Sequence, residues 1–187
     1  KDNHNFDAVN LDGAALFVAV DLDKENASFQ PETNTMYLGL GQGGIARDGL
    51  SLAASKDVVG HEITHGIVAT TSSLNYEFQS GALNESFSDF FGSMIDGDDW
   101  YIGEDLQSPL GNSLRNMANP ADAISAQPTH FSEYRSLPKT NDHGGVHLYS
   151  GIPNRALYLL AEGLSIEGLG SSIGREKAAN LAFKTMA

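Results

Sequence analysis

The chain has 187 residues, and 24 Asp and Glu against 11 Lys and Arg give a formal net charge of −13 at pH 7. This acidic balance argues against a nucleic-acid partner, because neutralising phosphates requires clustered basic side chains. The absence of cysteine excludes disulfides, thiolate metal sites and cysteine nucleophiles. No apolar run approaches the roughly 18 residues that a membrane helix requires, so no membrane partner is expected either.

The hydrophobic pattern along the chain predicts strands first and mainly helices afterwards. Apolar runs at 14–20 and 35–40 are bounded by Gly, Asn and Pro, which is typical of strands, and the first is expected to be buried. From residue 56 onward, apolar side chains recur at helical spacing, which predicts helices over 56–70, 82–95, 154–162 and 174–186. This order predicts an α+β fold.

We expect three consecutive parts in this fold: a β-rich lobe over residues 1–55, a long helix over 56–72 and a helical lobe over 73–187. The last helical pattern reaches Ala187 without the Gly or Asn that commonly ends a helix. The helical lobe is therefore expected to continue beyond this sequence.

The strongest motif is His-Glu-Ile-Thr-His at 61–65, which matches the zinc-binding pattern H-E-x-x-H. On a helix, His61 and His65 lie on one face, so both imidazoles can bind one Zn²⁺ with bonds of about 2.0–2.1 Å. Glu62 points to the adjacent face, from which its carboxylate can reach a water molecule on the metal. The alternative is an exposed helix face with two ordinary histidines.

A catalytic zinc ion requires a third protein ligand, and the next predicted helix supplies a candidate in Glu85. Asp89 lies four residues later on the same helix face, where it could accept a hydrogen bond from the free ring nitrogen of a histidine ligand. Both carboxylates could instead lie on a solvated face. The neighbouring Phe87, Phe90 and Phe91 indicate a buried helix, in which unpaired carboxylates are costly, and therefore favour the ligand interpretation.

Two further patterns suggest a dinucleotide-binding loop and a second metal pair, but their surroundings support neither. Residues 39–44 fit G-x-G-x-x-G, but no amphipathic helix follows and no βαβ unit surrounds them, so we expect a turn after a strand. His143 and His147 are four residues apart, but Gly144 and Gly145 between them disfavour a helix, so no second metal pair is expected.

Several separated blocks of the sequence together resemble the thermolysin-like zinc metalloproteases. They follow the family's order across residues 6–187, and His65 and Glu85 are 20 positions apart, as in this family. The resemblance implies a zincin-type fold, in which the active-site helix lies between a β-rich lobe and a mainly helical lobe. The blocks are DVVGHEITHG at 57–66, GALNE at 81–85 with SD at 88–89, WYIGED at 100–105, SLRNM at 113–117, and DHGGVH at 142–147 followed by SGI at 150–152.

The resemblance implies specific roles for the residues of the two motif helices. His61, His65 and Glu85 would bind one catalytic Zn²⁺. Glu62 would be the general base, which takes a proton from the water molecule and passes it to the leaving amine. Asp89 would accept a hydrogen bond from the ring nitrogen of His61 that does not bind the metal.

The resemblance also implies residues that contact the substrate or orient those that do. Tyr76 and His147 would hydrogen-bond the oxyanion, and Asp142 would orient His147 and favour its protonated form. Arg115 would hold a substrate carbonyl just past the scissile bond.

The resemblance implies a substrate cleft between the two lobes. On its β-rich side, Asn26 and Ala27 resemble the edge-strand pair that holds the peptide backbone in this family. The family's specificity pocket is apolar and lies just after the cleaved bond. Its lining is expected to comprise Leu52, Val58, Ile102, Leu106 and Leu114, each of which could equally be an ordinary core residue.

Four carboxylates align with calcium ligands of the family: Asp57, Asp96, Asp99 and Glu104. Clusters of carboxylate oxygens suit Ca²⁺, which accepts six to eight ligands at about 2.3–2.6 Å. The family's double site needs a further carboxylate where this chain has Tyr101, so we expect one structural calcium rather than two.

The function that follows from the resemblance is a secreted bacterial endopeptidase that cleaves internal bonds of peptides or proteins before bulky apolar residues. We expect a monomer, an inhibitory prosegment, and a β-rich lobe that is incomplete at its N-terminus. One alternative is a zinc- and calcium-binding fragment or pseudoenzyme of the family without proteolytic activity. A zinc aminopeptidase would require a glutamate one residue nearer to His65 and an acidic amine-binding motif, and the sequence has neither.

Overall fold

The computed structural model describes residues 13, 15–163 and 171–186, and within them the fold is α+β, as predicted. The strands are β1 (Phe17–Leu22), β2 (Ala27–Gln30), β3 (Thr35–Gly39), β4 (Tyr101–Ile102) and β5 (Arg115–Asn116). The helices are α1 (Lys56–Thr70), α2 (Phe78–Asp96), α3 (Asp142–Tyr149), α4 (Gly151–Glu162) and α5 (Arg175–Met186). In the described part of the chain, no helix combines the length and apolar character needed to cross a membrane.

The first three strands form a sheet in the order β1-β3-β2, with β1 parallel and β2 antiparallel to β3. The expectation that the first strand is buried is wrong. Phe17, Val18 and Val20 expose 61%, 51% and 50% of their surface, because β1 lies at the edge of the sheet and its faces are largely uncovered among the described residues. The other edge is β2, a strand that the hydrophobic pattern did not predict.

The helix that carries the H-E-x-x-H motif has the predicted bounds. Near its start, the carboxylate of Asp57 accepts hydrogen bonds from the Ser55 hydroxyl and, at 2.7 Å, from the backbone N–H of Val58. Val58 packs into a core shared with the sheet, whereas Val68 packs into a second core formed by the helices. The helix therefore joins two hydrophobic cores. The three-part division of the chain stays a prediction.

The second helix begins four residues before its predicted start. Its first turn contains Gln79, Ser80 and Gly81, whose polar or flexible character hides the helix from a pattern analysis. Its end is a glycine cap, since Gly97 has φ of 85° and donates its N–H to the carbonyl of Ser93. In between, the fully buried Phe90 belongs to the helical core.

The last two helices differ from the predicted bounds by at most three residues at their starts. They are connected by Glu162, whose Oε1 accepts hydrogen bonds from Trp100 Nε1 at 2.9 Å and Arg175 Nε at 2.7 Å. The Arg175 guanidinium also lies over the Trp100 ring, 4.5 Å from its centroid. The predicted continuation beyond Ala187 lies outside the described residues.

Helices α1 and α2 approach each other closely at two glycines. A Cβ atom on Gly92 would lie 2.5 Å from the carbonyl oxygen of Asp57, and one on Gly60 would lie 3.1 Å from the Cα of Gly92. The first distance is too short for a real Cβ contact and the second is tighter than most, so a side chain at Gly92 would push the helices apart and one at Gly60 would crowd them. Because α2 carries Glu85, this spacing controls the distance from Glu85 to the α1 histidines.

Replacing Gly92 with valine is therefore expected to lower the free energy of unfolding by about 1–3 kcal/mol and to weaken zinc binding. Urea denaturation and a competition titration with zinc measure the two effects. Gln79→Val places the same side chain at an exposed position of the same helix and should leave zinc affinity unchanged. Zinc binding by Gly92→Val as tight as that of the wild type would contradict this account of the helix spacing.

Candidate metal centre

Three predicted zinc ligands meet where α1 packs against α2. The Nε2 atoms of His61 and His65 are 3.0 Å apart, and they lie 3.5 Å and 3.3 Å from the Glu85 carboxylate oxygens. Zinc bonds of 2.0–2.1 Å in a tetrahedron separate neighbouring ligand atoms by about 3.3 Å. The three side chains therefore have the spacing of three corners of a zinc site. Within the described ranges, no other group of three His, Asp or Glu side chains is gathered this closely.

The outer ring nitrogens of both histidines have defined partners. His61 Nδ1 lies 2.8 Å from Asp89 Oδ1, and His65 Nδ1 lies 2.8 Å from Asn84 Oδ1 and 3.1 Å from the Ser88 hydroxyl. A proton on each Nδ1 satisfies the Asp89 and Asn84 oxygens and leaves both Nε2 lone pairs directed at the gap beside Glu85. Two lone pairs and a carboxylate repel one another there unless a cation lies between them.

The electrostatics of the site also favour a cation. Glu85 is fully buried and its Oε2 has no hydrogen-bond partner, which is costly for a carboxylate. Burial would raise the pKa of Glu85, but His61, His65 and His147 hold it well below its usual range. Burial would lower the pKa of His65, but Glu85 raises it to about 9. The donor set thus fits a divalent cation such as zinc, which competes with protons for the same atoms.

Asp89 connects the histidine site to two other elements. Its carboxylate accepts hydrogen bonds from Arg115 Nη2 at 2.7 Å and Nε at 2.8 Å, and from Asn154 Nδ2 at 2.8 Å. Burial would raise the pKa of Asp89, but Arg115 and His61 lower it to about 2. Arg115 is therefore fixed beside the metal ligands by a bidentate ion pair rather than extended freely into solvent.

The other predicted catalytic side chains surround the same point. Glu62 is buried, and burial raises its pKa, although His61 and His65 act in the opposite direction. The Tyr76 hydroxyl donates to Glu85 Oε1 and lies 3.1 Å from Nε2 of His147.

Asp142 reaches His147 through a backbone bend. Its Oδ1 lies 2.5 Å from His147 Nδ1, and its Oδ2 accepts the backbone N–H of His147 at 2.9 Å. Four consecutive residues, Asp142 to Gly145, have positive φ angles of 50°, 50°, 90° and 91°. This left-handed bend makes up the first four residues of α3, which are therefore not α-helical, in line with the expectation that Gly144 and Gly145 disfavour a helix. The bend turns Asp142 back onto His147.

Two cavities of about 560 Å³ and 260 Å³ adjoin the site. His61, Glu62 and His147 line both, as do Asn26 and Ala27. The smaller cavity has an apolar wall in which four of the five expected pocket residues take part. Leu106 is the exception: it is fully buried in the same core as Leu52 and lines neither cavity, which agrees with the alternative that it is an ordinary core residue. The wall comprises Ile45, Leu52, Val58, Ile102 and Leu114.

The four carboxylates predicted to bind calcium influence one another electrostatically. Burial, together with the charges of Asp57, Asp99 and Asp96, raises the pKa of Glu104 to about 7. Its Oε2 is buried without a hydrogen-bond partner. In the described part of the chain, these oxygens are not gathered as closely as the zinc-type ligands. The calcium site therefore stays a prediction.

Three polar residues near the site were missed by the sequence analysis. Asn84 contacts His65, Asn154 contacts Asp89, and Gln127 donates from its Nε2 to the carbonyl of His147 at 2.5 Å. Asn84 precedes Glu85 directly, so its position on the buried helix was a usable signal. Nothing local in the sequence connects Asn154 or Gln127 with residues that lie far away along the chain.

The chain is similar to several bacterial proteases. It is 38% identical over 190 residues to a bacillolysin of Brevibacillus brevis, covering 100% of this chain and 34% of that protein. It is 41% identical over 145 residues to an extracellular elastase of Staphylococcus epidermidis, covering 76% of this chain and 26% of that protein. The chain thus spans about a third or less of the length of these relatives.

A solved structure supports the same relationship. The precursor of protealysin, a metalloproteinase from Serratia proteamaculans, superposes with a TM-score of 0.73 at 35% identity, covering 84% of this chain and 53% of that one. The model of the thermolysin metallopeptidase catalytic domain matches residues 1–69, and that of the family's alpha-helical domain matches residues 72–187. The chain belongs to the thermolysin metallopeptidase family.

Proposed function

We propose that the chain carries the catalytic centre of a zinc-dependent endopeptidase. The observation that carries this proposal is the convergence of His61, His65 and Glu85, with Glu62 beside them, at the junction of two cavities. Two cavities that share His61, Glu62 and His147 leave room for a polypeptide that occupies both, as cleavage of internal bonds requires. The names of the similar proteases support the same class of reaction.

The residues of the site divide the chemistry of amide hydrolysis among them. Zinc, when bound, lowers the pKa of a water molecule and polarises the scissile carbonyl. Glu62 takes a proton from the attacking water and transfers it to the leaving amine. Tyr76 and His147 donate hydrogen bonds to the carbonyl oxygen as its negative charge develops. Asp142 holds the other ring nitrogen of His147 and so keeps Nε2 directed at the cleft.

Substrate binding in this proposal uses backbone and guanidinium contacts. Asn26 and Ala27 line both cavities at the start of the edge strand β2, where an extended peptide can pair with backbone groups irrespective of its sequence. Arg115 uses Nε and Nη2 to bind Asp89, which leaves Nη1 for a substrate carbonyl after the scissile bond.

The setting of the enzyme is part of the same proposal. A secreted bacterial enzyme agrees with the extracellular elastase among its relatives, and an inhibitory prosegment agrees with the precursor form of the similar protealysin structure. Such a segment would lie in the same cleft as the substrate. We propose a monomer, because each of the groups invoked above belongs to a single chain.

Glu62→Gln is expected to keep the metal and lose turnover, because the amide retains the shape of the side chain but cannot accept the proton. Casein hydrolysis should fall by at least about 100-fold, while zinc content measured by mass spectrometry stays at one ion per chain. Glu176→Gln makes the same chemical change on α5, far from the motif, and should alter neither quantity.

The same measurements decide between the proposal and its alternative. They are made on the wild type and on Glu62→Gln side by side. Hydrolysis retained in Glu62→Gln would refute the assigned base. Zinc binding without hydrolysis in the wild type would instead support the pseudoenzyme alternative.

The smaller cavity accounts for the proposed preference for bulky apolar residues after the cleaved bond. Leu52, Val58, Ile102 and Leu114 form an apolar wall close to Glu62 and Arg115. A leucine side chain of the substrate would be removed from water there, whereas an alanine would leave most of the space unfilled.

Leu114→Phe is expected to weaken this preference, because the larger ring fills part of the cavity. The ratio of kcat/KM for peptides with Leu rather than Ala after the bond should decrease by roughly tenfold. Leu110→Phe changes an exposed loop residue in the same way and serves as the control. An unchanged ratio in Leu114→Phe would mean that the pocket lies elsewhere.

We also propose that Asp57, Asp96, Asp99 and Glu104 bind one structural Ca²⁺. The buried Glu104 oxygen without a partner, and the mutual repulsion of the four carboxylates, support a cation between them. Because all the ligands would come from the folded chain, calcium would stabilise the native state by mass action.

Saturating calcium is expected to raise the free energy of unfolding by about 3 kcal/mol at 100 times its Kd. Glu104→Gln should lose most of this increase, yet be at least as stable as the wild type in a calcium chelator, because one repelling charge is gone. Asp122→Asn, in a separate loop, is the control. An equal response to calcium in wild type and Glu104→Gln would exclude this site.

A further inference from the structure

Glu25, the residue directly before Asn26, makes contacts that neither the metal centre nor the proposed reaction uses. Its Oε1 accepts hydrogen bonds from the backbone N–H groups of Gln42 at 2.9 Å, Gly44 at 3.1 Å and Ala46 at 3.0 Å. These donors belong to the loop after β3 that contains the G-x-G-x-x-G match. The glycine-rich loop thus binds an anion, and that anion is a side chain of the same chain.

The chemistry of this contact is that of a carboxylate held in its charged form. Partial burial raises the pKa of Glu25, but hydrogen bonds from the backbone of Ala46, Gln42 and Gly44 outweigh it and lower the pKa. A Cβ atom at Gly44 would collide with the other carboxylate oxygen, so a larger residue there would force the Glu25 side chain to shift out of its present position.

The Glu25 carboxylate connects two parts of the substrate cleft. On one side, Glu25 is followed by Asn26, whose carbonyl accepts the N–H of Gly39 at 3.0 Å, and by Ala27. On the other side, the loop carries Ile45, which belongs to the apolar wall of the smaller cavity.

The loop itself is anchored on its far side. The carbonyl of Gly44 accepts the Ser108 hydroxyl at 2.8 Å, and the N–H of Arg47 donates to the carbonyl of Leu106 at 2.9 Å. Because the loop is anchored in this way, its hydrogen bonds with Glu25 also fix the start of the edge strand relative to the rest of the cleft.

We propose that Glu25 is a positioning residue for substrate binding. By holding the 42–46 loop, it fixes the backbone of Asn26 and Ala27 and the side chain of Ile45 in the arrangement that receives an extended peptide. It contacts no substrate itself and takes no part in the chemical step. The inference rests on the proposed endopeptidase function.

The expected signature is a change in KM that depends on substrate length. In Glu25→Ala, KM for a hexapeptide that spans both cavities should rise by roughly three- to tenfold for each strand hydrogen bond that is weakened. Its kcat should stay within about twofold, because the groups that act in the transition state do not move. A blocked dipeptide, which barely contacts the edge strand, should show unchanged kinetics.

Two further variants separate this role from a loss of fold. Glu25→Gln retains one acceptor oxygen and should recover part of the lost affinity for the hexapeptide. Asp21→Asn removes a charge from the preceding strand and should behave as the wild type. Equal changes in KM for both substrates, or none for the hexapeptide, would overturn the proposal.

Hydrogen exchange provides a test that needs no turnover. In zinc-loaded Glu25→Ala, amide exchange should accelerate in the 42–46 loop and also in Ala27–Gln30, with zinc content unchanged. Acceleration confined to the loop would reduce Glu25 to a local loop contact and overturn the proposal. If the wild type does not hydrolyse either peptide, the proposed function fails, while exchange in Ala27–Gln30 still decides whether Glu25 positions the edge strand.

Discussion

Two imidazole nitrogens 3.0 Å apart beside a buried carboxylate are stable together only when a positive charge lies between them. Much of the described structure holds these three side chains close together. Gly60 and Gly92 allow α1 and α2 to pack backbone against backbone, which brings Glu85 within reach of both histidines. The two cores that contain α1 residues hold the helix in place, so the backbone that carries the two histidines is fixed by packing.

A second layer of polar contacts determines how the ligands are oriented. Asp89 and Asn84 each hold the outer nitrogen of one histidine, and Arg115 compensates the buried charge of Asp89. Asn154 adds a contact from α4, so a helix that supplies no ligand still supports the site. Around the cleft, Glu25, Asp142 and Gln127 make contacts of a similar kind, each with a backbone segment or a ring.

The sequence predicted the parts of the structure that depend on local pattern. The bounds of α1, the buried character of α2 and the zinc-type triad follow from helical spacing and from one motif, because residues four apart on a helix must share a face. The first strand was wrongly expected to be buried, since an apolar run reports strand formation but not whether another element covers it. The sequence left open whether Leu106 lines a pocket or packs in the core, because apolar side chains in the two places look alike in sequence.

The sequence by itself therefore determined the chemistry available to the chain: which side chains can bind a metal, which can exchange protons, and where α1, α4 and α5 run to within a few residues. Only the tertiary structure decided which of these groups meet. The contacts of Asn154 with Asp89, Gln127 with His147 and Glu25 with the glycine-rich loop join elements by packing and by backbone N–H groups. Such contacts depend on distances in space between segments with no fixed separation along the chain, so no spacing rule reveals them.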